Sequence, residues 1–435
     1  MRHYLPGTAI VVIAVCIPLI WFVPLAGQHD SGAVLSQFLA SGALIAMAIS
    51  MVISTRLPGT SLLFGPLDRA YVLHKWIGVG AMAGLLLHDV IDADLEETGE
   101  ETILVQLGET LGEFSLYGLL ILVLLSIATF TPYKLWKWTH RFMGAFFVAG
   151  ALHYLLIRKP FDLTDSPGVY VGLFCVAGVA AYAYATVSGL FKRGRPFTVV
   201  SAEKSGDALA VVLKANGRNM NAKAGQFAFL SVDQLPEPHP FTLSKVSANG
   251  EMRFTIKSLG DYTHALQSLV KPGATVRVKG PYGGFTRRPG TPEIWIAAGV
   301  GITPFVAWAH QLENTKGPVH LFYSVRHQSN ASHLDELTEI SNSSALQLHL
   351  HETGNSGRLS IDTIKAAAGD DFSSASVSFC GPVEMRDSLL KGFKKAGLKS
   401  HRFHYEMFEL RSGVGFRKML AWGFRRFEEY RSAKA

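Results

Sequence analysis

Six apolar stretches, each long enough to cross a lipid bilayer, lie within the first 191 residues of this 435-residue chain. Because about 20 consecutive apolar residues span a bilayer as a helix, this part of the chain is predicted to be a transmembrane bundle. The stretches lie near residues 8–26, 32–54, 71–91, 112–130, 135–157 and 167–191. The first could pass for a signal peptide, but we interpret it as a retained span because five more follow.

The distribution of basic residues predicts the orientation of this bundle. Lysines and arginines cluster around the second and fourth connections and after the last span, whereas the opposite side carries Arg158, Lys159 and an acidic run over residues 89–101. Because positive residues near span ends favour the cytoplasmic side, both termini are expected to be cytoplasmic. The net charge of +7 suits an anionic membrane face. No nucleic-acid partner is expected, since the basic residues flank apolar segments and do not form one surface run.

Four histidines lie in two pairs inside the apolar segments, His74 and His88 in the third and His140 and His153 in the fifth. A histidine at membrane depth is costly without a partner. Fourteen and thirteen helical residues rise about 21 and 19.5 Å at about 1.5 Å per residue. His74 can therefore meet His140 near the cytoplasmic face, and His88 can meet His153 near the outer face. Two bis-imidazole sites stacked through a bilayer are the arrangement expected for two b-type haems. The three cysteines form no close-spaced pair, so no iron–sulfur or zinc cluster is predicted.

The two histidine spacings do not fit a straight helix equally well. Fourteen residues turn about 1400°, which leaves the first pair about 40° from a common face, whereas thirteen residues leave the second pair about 220° apart. A tightened turn in the fifth segment, or two haems rotated relative to each other, would be needed. Alternatively, some of these histidines cap or pair locally. The candidates for haem propionate contacts on the cytoplasmic side are Arg69, Lys75 and Arg141.

After residue 195 the sequence changes from apolar spans to short alternating runs separated by Gly, Asn and Asp. Such runs predict a small antiparallel barrel. They are Phe197–Ser201, Leu209–Leu213, Gln226–Val232, Met252–Ser258 and Thr275–Lys279.

From residue 293 onward, strands alternate with helices, which predicts a parallel sheet. The first strand, 293–298, leads through Gly299 and Gly301 into a helix-like stretch, and free backbone N–H groups at such a junction attract phosphate. The two glycines alone fall short of a full dinucleotide fingerprint. A second strand, 319–325, ends at Ser324 and Arg326, and a third, 377–379, runs into Cys380.

Several short motifs closely resemble the ferredoxin–NADP reductase superfamily, and in particular its NADPH oxidases and ferric reductases. They are His239-Pro-Phe-Thr-Leu-Ser244, Gly260-Asp-Tyr-Thr263, Gly280-Pro-Tyr-Gly283, Cys380-Gly-Pro382 and Tyr405-Glu-Met-Phe408. Together with the spans and histidines, the resemblance covers roughly residues 1–411. Leu73-His-Lys-Trp76 is most similar to bacterial ferric-reductase-like membrane proteins, which implies a bacterial inner or plasma membrane.

The resemblance implies a multidomain membrane protein with three folded parts and a tail. Residues 1–194 would form a six-helix transmembrane haem-binding bundle, 195–289 an antiparallel β-barrel FAD domain, and 290–411 an α/β parallel-sheet NAD(P)-binding domain. Residues 412–435 would form a basic amphipathic tail, lying either on the membrane or on its own reductase domain. Its apolar stripe consists of Phe416, Met419, Leu420, Phe427 and Tyr430.

The resemblance also implies roles for individual residues. FAD would be bound by His239, Pro240, Phe241, Thr242, Leu243 and Ser244, and its pyrophosphate by Gly260, Asp261, Tyr262 and Thr263. NADPH or NADH would be bound by Gly299, Gly301, Ile302, Thr303, Pro304, Ser324, Arg326, Gly381 and Pro382. Cys380, Glu406 and Phe408 would lie beside the nicotinamide and the flavin.

These expectations describe a transmembrane oxidoreductase. Electrons would pass from cytoplasmic NAD(P)H through FAD and two b-type haems to an outer acceptor, either a ferric complex or O2. The acidic run at 89–101 would attract cationic metal species, which favours metal reduction. The alternative is an electron-donating subunit that reduces a partner protein or a quinone.

Overall fold

A computed structural model describes residues 5–57, 59–91, 102–128, 131–191, 194–313, 315 and 317–406. These residues fall into two compact units that divide after Phe191, one helical and one of mixed α/β structure. The predicted tail at 412–435 and Phe408 lie outside the described residues.

The first unit is a bundle of helices with an apolar core. Its helices are α1 (Leu5–Cys16), α2 (Leu19–Leu25), α3 (Ser31–Ser54), α4 (Thr60–Phe64), α5 (Leu67–Val90), α6 (Ile103–Ile127), α7 (Tyr133–His140), α8 (Met143–Leu156) and α9 (Ser166–Phe191). The central helix is α3, which is buried along most of its length and packs against α5 and α9. Asp30 caps its N-terminus by accepting a hydrogen bond from the Ala33 N–H at 2.8 Å, which satisfies one of the free donors of the first turn.

Five helical segments among the described residues are long and apolar enough to cross a membrane: Pro6–Leu25, Ser31–Ser54, Leu67–Val90, Ile103–Ile127 and Ser166–Ser188. The segment predicted as the fifth span is divided into α7 and α8, and α8 has only 14 residues. The expected apolar helices are therefore present, while the count of six crossings remains a prediction.

The division between α7 and α8 is a tightened turn. The N–H groups of Arg141 and Phe142 bond to carbonyls three residues back, at 3.3 and 3.0 Å, and the Ala145 N–H does the same at 3.0 Å. Bonds of this type wind the chain by about 120° per residue instead of about 100°. The turn reduces the angular mismatch that thirteen residues would leave between His140 and His153.

The second unit begins with a closed antiparallel barrel. Its strands are β1 (Arg195–Ser205), β2 (Ala208–Ala215), β3 (Phe227–Val232), β4 (Leu235–Val246), β5 (Met252–Lys257) and β6 (Thr275–Tyr282), in the order β1-β2-β5-β4-β3-β6. Helix α10 (Asp261–Leu269) lies between β5 and β6. Alternate side chains of the strands fill the interior, where Phe197, Leu213, Leu243 and Phe254 are fully buried.

A five-stranded parallel sheet follows. It contains β7 (Glu293–Ala298), β8 (Val319–Val325), β9 (Leu346–Glu352), β10 (Ser376–Cys380) and β11 (Phe403–Tyr405), in the order β11-β10-β7-β8-β9. The helices are α11 (Thr303–Ala309), α12 (Leu334–Ser343), α13 (Thr353–Ser356), α14 (Ile361–Ala368) and α15 (Val383–Lys395). Apolar clusters cover both faces of the sheet, as the buried strands β7, β8 and β10 require. The predicted antiparallel barrel and parallel sheet are both confirmed.

Candidate functional site

The four histidines of the helical unit meet in the predicted pairs. The ring centroids of His74 and His140 are 6.0 Å apart, and those of His88 and His153 are 6.5 Å apart. Two imidazoles bonded to one metal ion at about 2 Å each have their ring centroids roughly 6 Å apart. The spacing of both pairs therefore suits one metal atom between the two rings.

Helix α3 holds the two histidines of α5 through two serines in matching register. Ser50 Oγ lies 2.6 Å from His74 Nδ1, and Ser36 Oγ lies 2.6 Å from His88 Nδ1. The two serines are separated by fourteen residues, as are the two histidines. Because the helices run antiparallel, this equal spacing places a hydroxyl beside each ring.

Helix α6 supplies the corresponding oxygen atoms for the other two histidines. His153 Nδ1 lies 2.8 Å from the Gly108 carbonyl oxygen, and His140 Nδ1 lies 3.3 Å from Ser126 Oγ. A methyl group at Gly112 would lie 2.6 Å from His153 Nδ1, so a glycine is needed there to admit the ring.

These oxygen atoms fix the tautomer of all four neutral histidines. A carbonyl oxygen only accepts hydrogen bonds, and Gly108 O and Ser50 O (3.2 Å) both face a histidine Nδ1. The hydroxyls of Ser36 and Ser126 donate to the carbonyls of His88 and Leu122, at 3.1 and 2.7 Å, and are thus acceptors toward the imidazoles. Each Nδ1 therefore carries the proton, and each Nε2 keeps its lone pair for a metal.

Each pair of histidines offers two Nε2 atoms, which suits a metal ion whose other ligands come from a cofactor. No Nε2 atom of the four histidines has a hydrogen-bond partner in the described ranges. Among the described residues, no group of three or more His, Cys, Asp or Glu could hold a metal ion. Two imidazoles per site suffice for haem iron, because the porphyrin supplies the other four nitrogens.

The motif 239–244 forms part of β4 and lines the barrel. Thr242 is buried, and its hydroxyl has no hydrogen-bond partner among the described residues, so it is available to a ligand. Ser244 is fully buried and pairs with Arg253 of β5, whose Nε lies 3.1 Å from Ser244 Oγ. The ring of His239 stacks on Tyr262 with centroids 3.5 Å apart, which joins the motif to the start of α10. Burial raises the pKa of Tyr262 to about 12, with the Glu237 carboxylate contributing.

The N-terminus of α10 begins in the predicted 260–263 segment. Thr263 Oγ1 accepts hydrogen bonds from the N–H groups of Leu259 and Gly260, at 2.8 and 3.1 Å. This cap sets the direction of the helix and leaves the N–H groups of Asp261 and Tyr262 in its first turn, the usual position for binding an anion.

The predicted nucleotide residues gather at the carboxyl edge of the parallel sheet. The register places Ser324 beside Ala298 and Cys380 beside Ala297. A methyl group at Gly301 would strike the carbonyl of Cys380 and come within 3.3 Å of its sulfur, so the glycine turn after β7 and the end of β10 are in contact. Ligands of open α/β sheets bind at this edge.

The remaining predicted residues differ in exposure. Arg326 is exposed just after β8, whereas Cys380 and Glu406 are buried. Burial, with a contribution from the Glu406 carboxylate, raises the pKa of the Cys380 thiol well above its usual value, so the thiol is neutral. The roles of both residues beside the flavin and the nicotinamide stay predictions.

Comparison with known proteins gives the same three parts. Residues 39–151 match the family described as "Ferric reductase like transmembrane component". Residues 206–286 match "FAD-binding domain", and residues 295–391 match "Oxidoreductase NAD-binding domain". The chain therefore carries a ferric-reductase-like transmembrane domain followed by an FAD-binding and an NAD-binding domain.

Individual relatives match about half of this chain or less. The toluate 1,2-dioxygenase electron transfer component of Pseudomonas putida is 26% identical over 219 residues, covering 47% of this chain and 64% of the relative. Dual oxidase 1 of Caenorhabditis elegans is 26% identical over 188 residues, which cover 40% of this chain and 12% of that protein. The chain thus spans less than two thirds of the length of either protein.

Among solved structures, the FAD/NAD-binding domain of a Vibrio cholerae nitric oxide dioxygenase matches with a TM-score of 0.45. It is 23% identical and covers 49% of this chain and 98% of that one.

Sequence reasoning missed the residues that hold the histidines in place. Ser36, Ser50, Ser126 and Gly108 are ordinary small residues in apolar helices. One signal was available, since the spacing of Ser36 and Ser50 repeats that of His74 and His88. It also missed strand β4, because Pro236, Pro238 and Pro240 argue against a strand.

Proposed function

We propose that this protein is a transmembrane NAD(P)H oxidoreductase with two b-type haems and one FAD. Electrons would pass from cytoplasmic NAD(P)H through FAD, the His74–His140 haem and the His88–His153 haem to an acceptor on the outer side. The observation that carries the proposal is the pair of facing imidazole sites, 6.0 and 6.5 Å between ring centroids, with every Nδ1 hydrogen-bonded away from the metal position. Imidazoles held this way would be preorganised to hold haem iron, which would supply one-electron transfer.

The second unit would supply electrons one at a time. A bound flavin provides that chemistry, because it accepts a hydride and releases single electrons. Thr242 would donate or accept a hydrogen bond at the flavin through its otherwise unpaired hydroxyl. The N–H groups at the start of α10 would bind the pyrophosphate. His239, stacked on Tyr262, would hold that helix end against the flavin strand.

The nicotinamide nucleotide would lie along the carboxyl edge of the parallel sheet. Gly299–Pro304 and Gly381–Pro382 would admit its phosphates by close backbone approach, and the buried neutral Cys380 would form an apolar wall beside the nicotinamide. The exposed guanidinium of Arg326 would pair with a 2′-phosphate, which favours NADPH over NADH. Phe408 and Glu406 remain candidates for covering the flavin.

The outer acceptor is proposed to be a ferric complex, with O2 as the competing possibility. The acidic run at 89–101 would raise the local concentration of cationic metal species and repel anions. A second candidate function is supply of electrons to a partner protein. Several relatives of the reductase unit are named as reductase or electron transfer components, which supports this alternative.

One experiment distinguishes these possibilities. The purified protein is reduced with NADPH without oxygen, the haem and flavin spectra are recorded, and a ferric chelate or O2 is then added. We expect flavin and haem bands to be reduced and then reoxidised faster by the ferric chelate. Faster reoxidation by O2 would assign the protein as an oxidase. Slow reoxidation by both would favour a partner protein or quinone, and absence of haem would refute the proposal.

A further inference from the structure

Glu336, which has no role in the electron path above, joins the two domains of the reductase unit. Its carboxylate accepts hydrogen bonds from three residues. Oε1 lies 2.6 Å from His310 Nε2 and 3.0 Å from an Arg253 terminal nitrogen, while Oε2 lies 3.0 Å from His333 Nδ1. Arg253 belongs to barrel strand β5, whereas Glu336 and His333 belong to the nucleotide domain. We call these four residues the Glu336 cluster.

Three side chains of the cluster are mostly shielded from water. The exposed side-chain fractions of Arg253, Glu336 and His333 are 14%, 22% and 3%. His333 Nδ1–H donates to the carboxylate, so its Nε2 accepts from the Thr255 hydroxyl of β5 at 2.8 Å. Burial by itself raises the pKa of Glu336, but the hydrogen bonds from His310, His333 and Arg253 outweigh it and hold the pKa well below its usual value. The Glu336 carboxylate is therefore ionised in its contact with Arg253.

One side of the cluster leads directly to the flavin motif. Arg253 Nε lies 3.1 Å from Ser244 Oγ, and Ser244 Oγ donates back to the Arg253 carbonyl at 3.2 Å. Ser244 ends the motif whose Thr242 hydroxyl is unpaired. His310, on the other side, caps the C-terminus of α11, the helix that starts at Thr303 in the glycine turn after β7. A single carboxylate thus connects the flavin strand with the helix that follows the nucleotide turn.

The surrounding contacts make this interface close. His333 has a left-handed backbone, φ 60°, and its N–H donates to Ser205 Oγ of β1 at 2.8 Å. Ser332 Oγ donates to the Ser205 carbonyl, also at 2.8 Å. A side chain at Gly206 would strike the backbone of Ala331. The start of α12 is therefore fixed to the barrel, and Glu336 lies in the first turn of that helix.

We propose that Glu336 is a positioning residue that fixes the nucleotide domain on the flavin barrel for hydride transfer. The inference rests on the proposed function, since it assumes that the barrel holds FAD and the sheet holds NAD(P)H. Hydride transfer requires the nicotinamide and the flavin within near-contact distance, and a displacement of about 1 Å can cost about 10²-fold in rate. Binding of each cofactor depends mainly on its own domain. Loss of Glu336 should therefore slow the transfer and leave both affinities intact.

The test compares Glu336→Gln with Glu339→Gln in the full-length protein with FAD bound. Glu339 is exposed on the same helix, so its replacement makes the same charge change without touching the cluster. Flavin reduction by NADPH is followed by stopped-flow absorbance without oxygen, together with the long-wavelength charge-transfer absorbance of a stacked nicotinamide and flavin.

We expect the limiting rate of flavin reduction to fall about tenfold or more in Glu336→Gln, with a weaker charge-transfer band. The FAD content and the half-saturating NADPH concentration should stay within about twofold of the wild type. Arg253→Lys keeps the charge but loses the fork that reaches both Ser244 and Glu336. It should give a smaller loss of rate, and it carries the test if Glu336→Gln does not fold.

Two results would overturn the inference: an unchanged limiting rate in both variants, or a loss of FAD that accounts for the slower reduction. Failure of NADPH to reduce the flavin of the wild type and of Glu339→Gln would instead overturn the proposed function, so the two failures are distinguishable.

Discussion

Replacing Ser50 with alanine should change the reduction potential of one haem and leave the other unchanged. Ser50 Oγ is the closer of two oxygen acceptors for His74 Nδ1–H, at 2.6 Å, and the Ser50 carbonyl at 3.2 Å would remain. A hydrogen bond at Nδ1 makes an imidazole a stronger electron donor to the metal. It therefore stabilises the ferric state, and its removal should raise the potential.

The size of the change follows from the worth of one hydrogen bond. A neutral hydrogen bond contributes about 1 kcal/mol net. If that amount is lost from the ferric state alone, a one-electron couple at 59 mV per tenfold change in equilibrium shifts upward by about 40 mV. Because the remaining carbonyl compensates in part, this value is an upper estimate.

The assay is a spectroelectrochemical titration of the haem bands in the purified protein. Ser50→Ala should raise one midpoint potential, and Ser36→Ala should raise the other. The matched control is Ser41→Ala on the same helix, since Ser41 is buried and forms no hydrogen bond with any of the four histidines. Equal shifts of both haems in each variant, or an equal shift in the control, would refute the assignment of one serine to each site.

Three further predictions test other parts of the structure. Gly112→Ala places a methyl group 2.6 Å from His153 Nδ1, so the haem content per protein should fall from about two to about one, measured as pyridine haemochrome; full occupancy would contradict the predicted clash. Arg326→Ala should raise the KM for NADPH about tenfold, which corresponds to one charged hydrogen bond, and leave the KM for NADH unchanged. Equal effects on both KM values would show that Arg326 does not bind the 2′-phosphate. Burial lowers the pKa of His349, and burial with the His349 ring lowers that of His320. The unfolded chain then binds more protons below about pH 6.5, and stability falls as the pH falls. The urea concentration at the unfolding midpoint should drop between pH 7.5 and 5.5, and it should drop less in a His320→Gln/His349→Gln variant. An equal drop in both proteins would contradict the lowered pKa of these two histidines.

The sequence was most informative where a single physical requirement dominates. The length of the apolar stretches alone predicted the long helices of the first unit, and the alternating apolar and polar runs predicted the barrel. The angular mismatch between His140 and His153 predicted either a tightened turn or two haems rotated relative to each other, but nothing in the sequence placed a turn at Arg141–Phe142. That position depends on how α7 and α8 pack, which local propensity does not contain.

Strand β4 shows the opposite case, since it was not among the strands predicted from the sequence. Prolines at 236, 238 and 240 are unfavourable in a strand, because proline cannot donate to a strand ladder. The strand forms because tertiary pairing compensates: Pro240 lies opposite Phe229, and Leu243 lies opposite Phe254. The flavin motif is therefore held in extended form by its neighbours on both sides.

The two histidine pairs also differ in a way that bears on electron flow. Both rings of the His74–His140 pair bond to serine hydroxyls, whereas His153 bonds to a backbone carbonyl. The His153 Nδ1–Gly108 O distance is 2.8 Å, whereas the His140 Nδ1–Ser126 Oγ distance is 3.3 Å, and a carbonyl held in a helix cannot rotate away. The hydrogen bond at His153 Nδ1 should therefore make the His88–His153 site favour the ferric state more than two imidazoles without such a bond would. Since no side-chain replacement removes a backbone oxygen, Gly112 is the position from which that bond can be disturbed, and Ser36 and Ser50 are those from which the two potentials can be tuned separately.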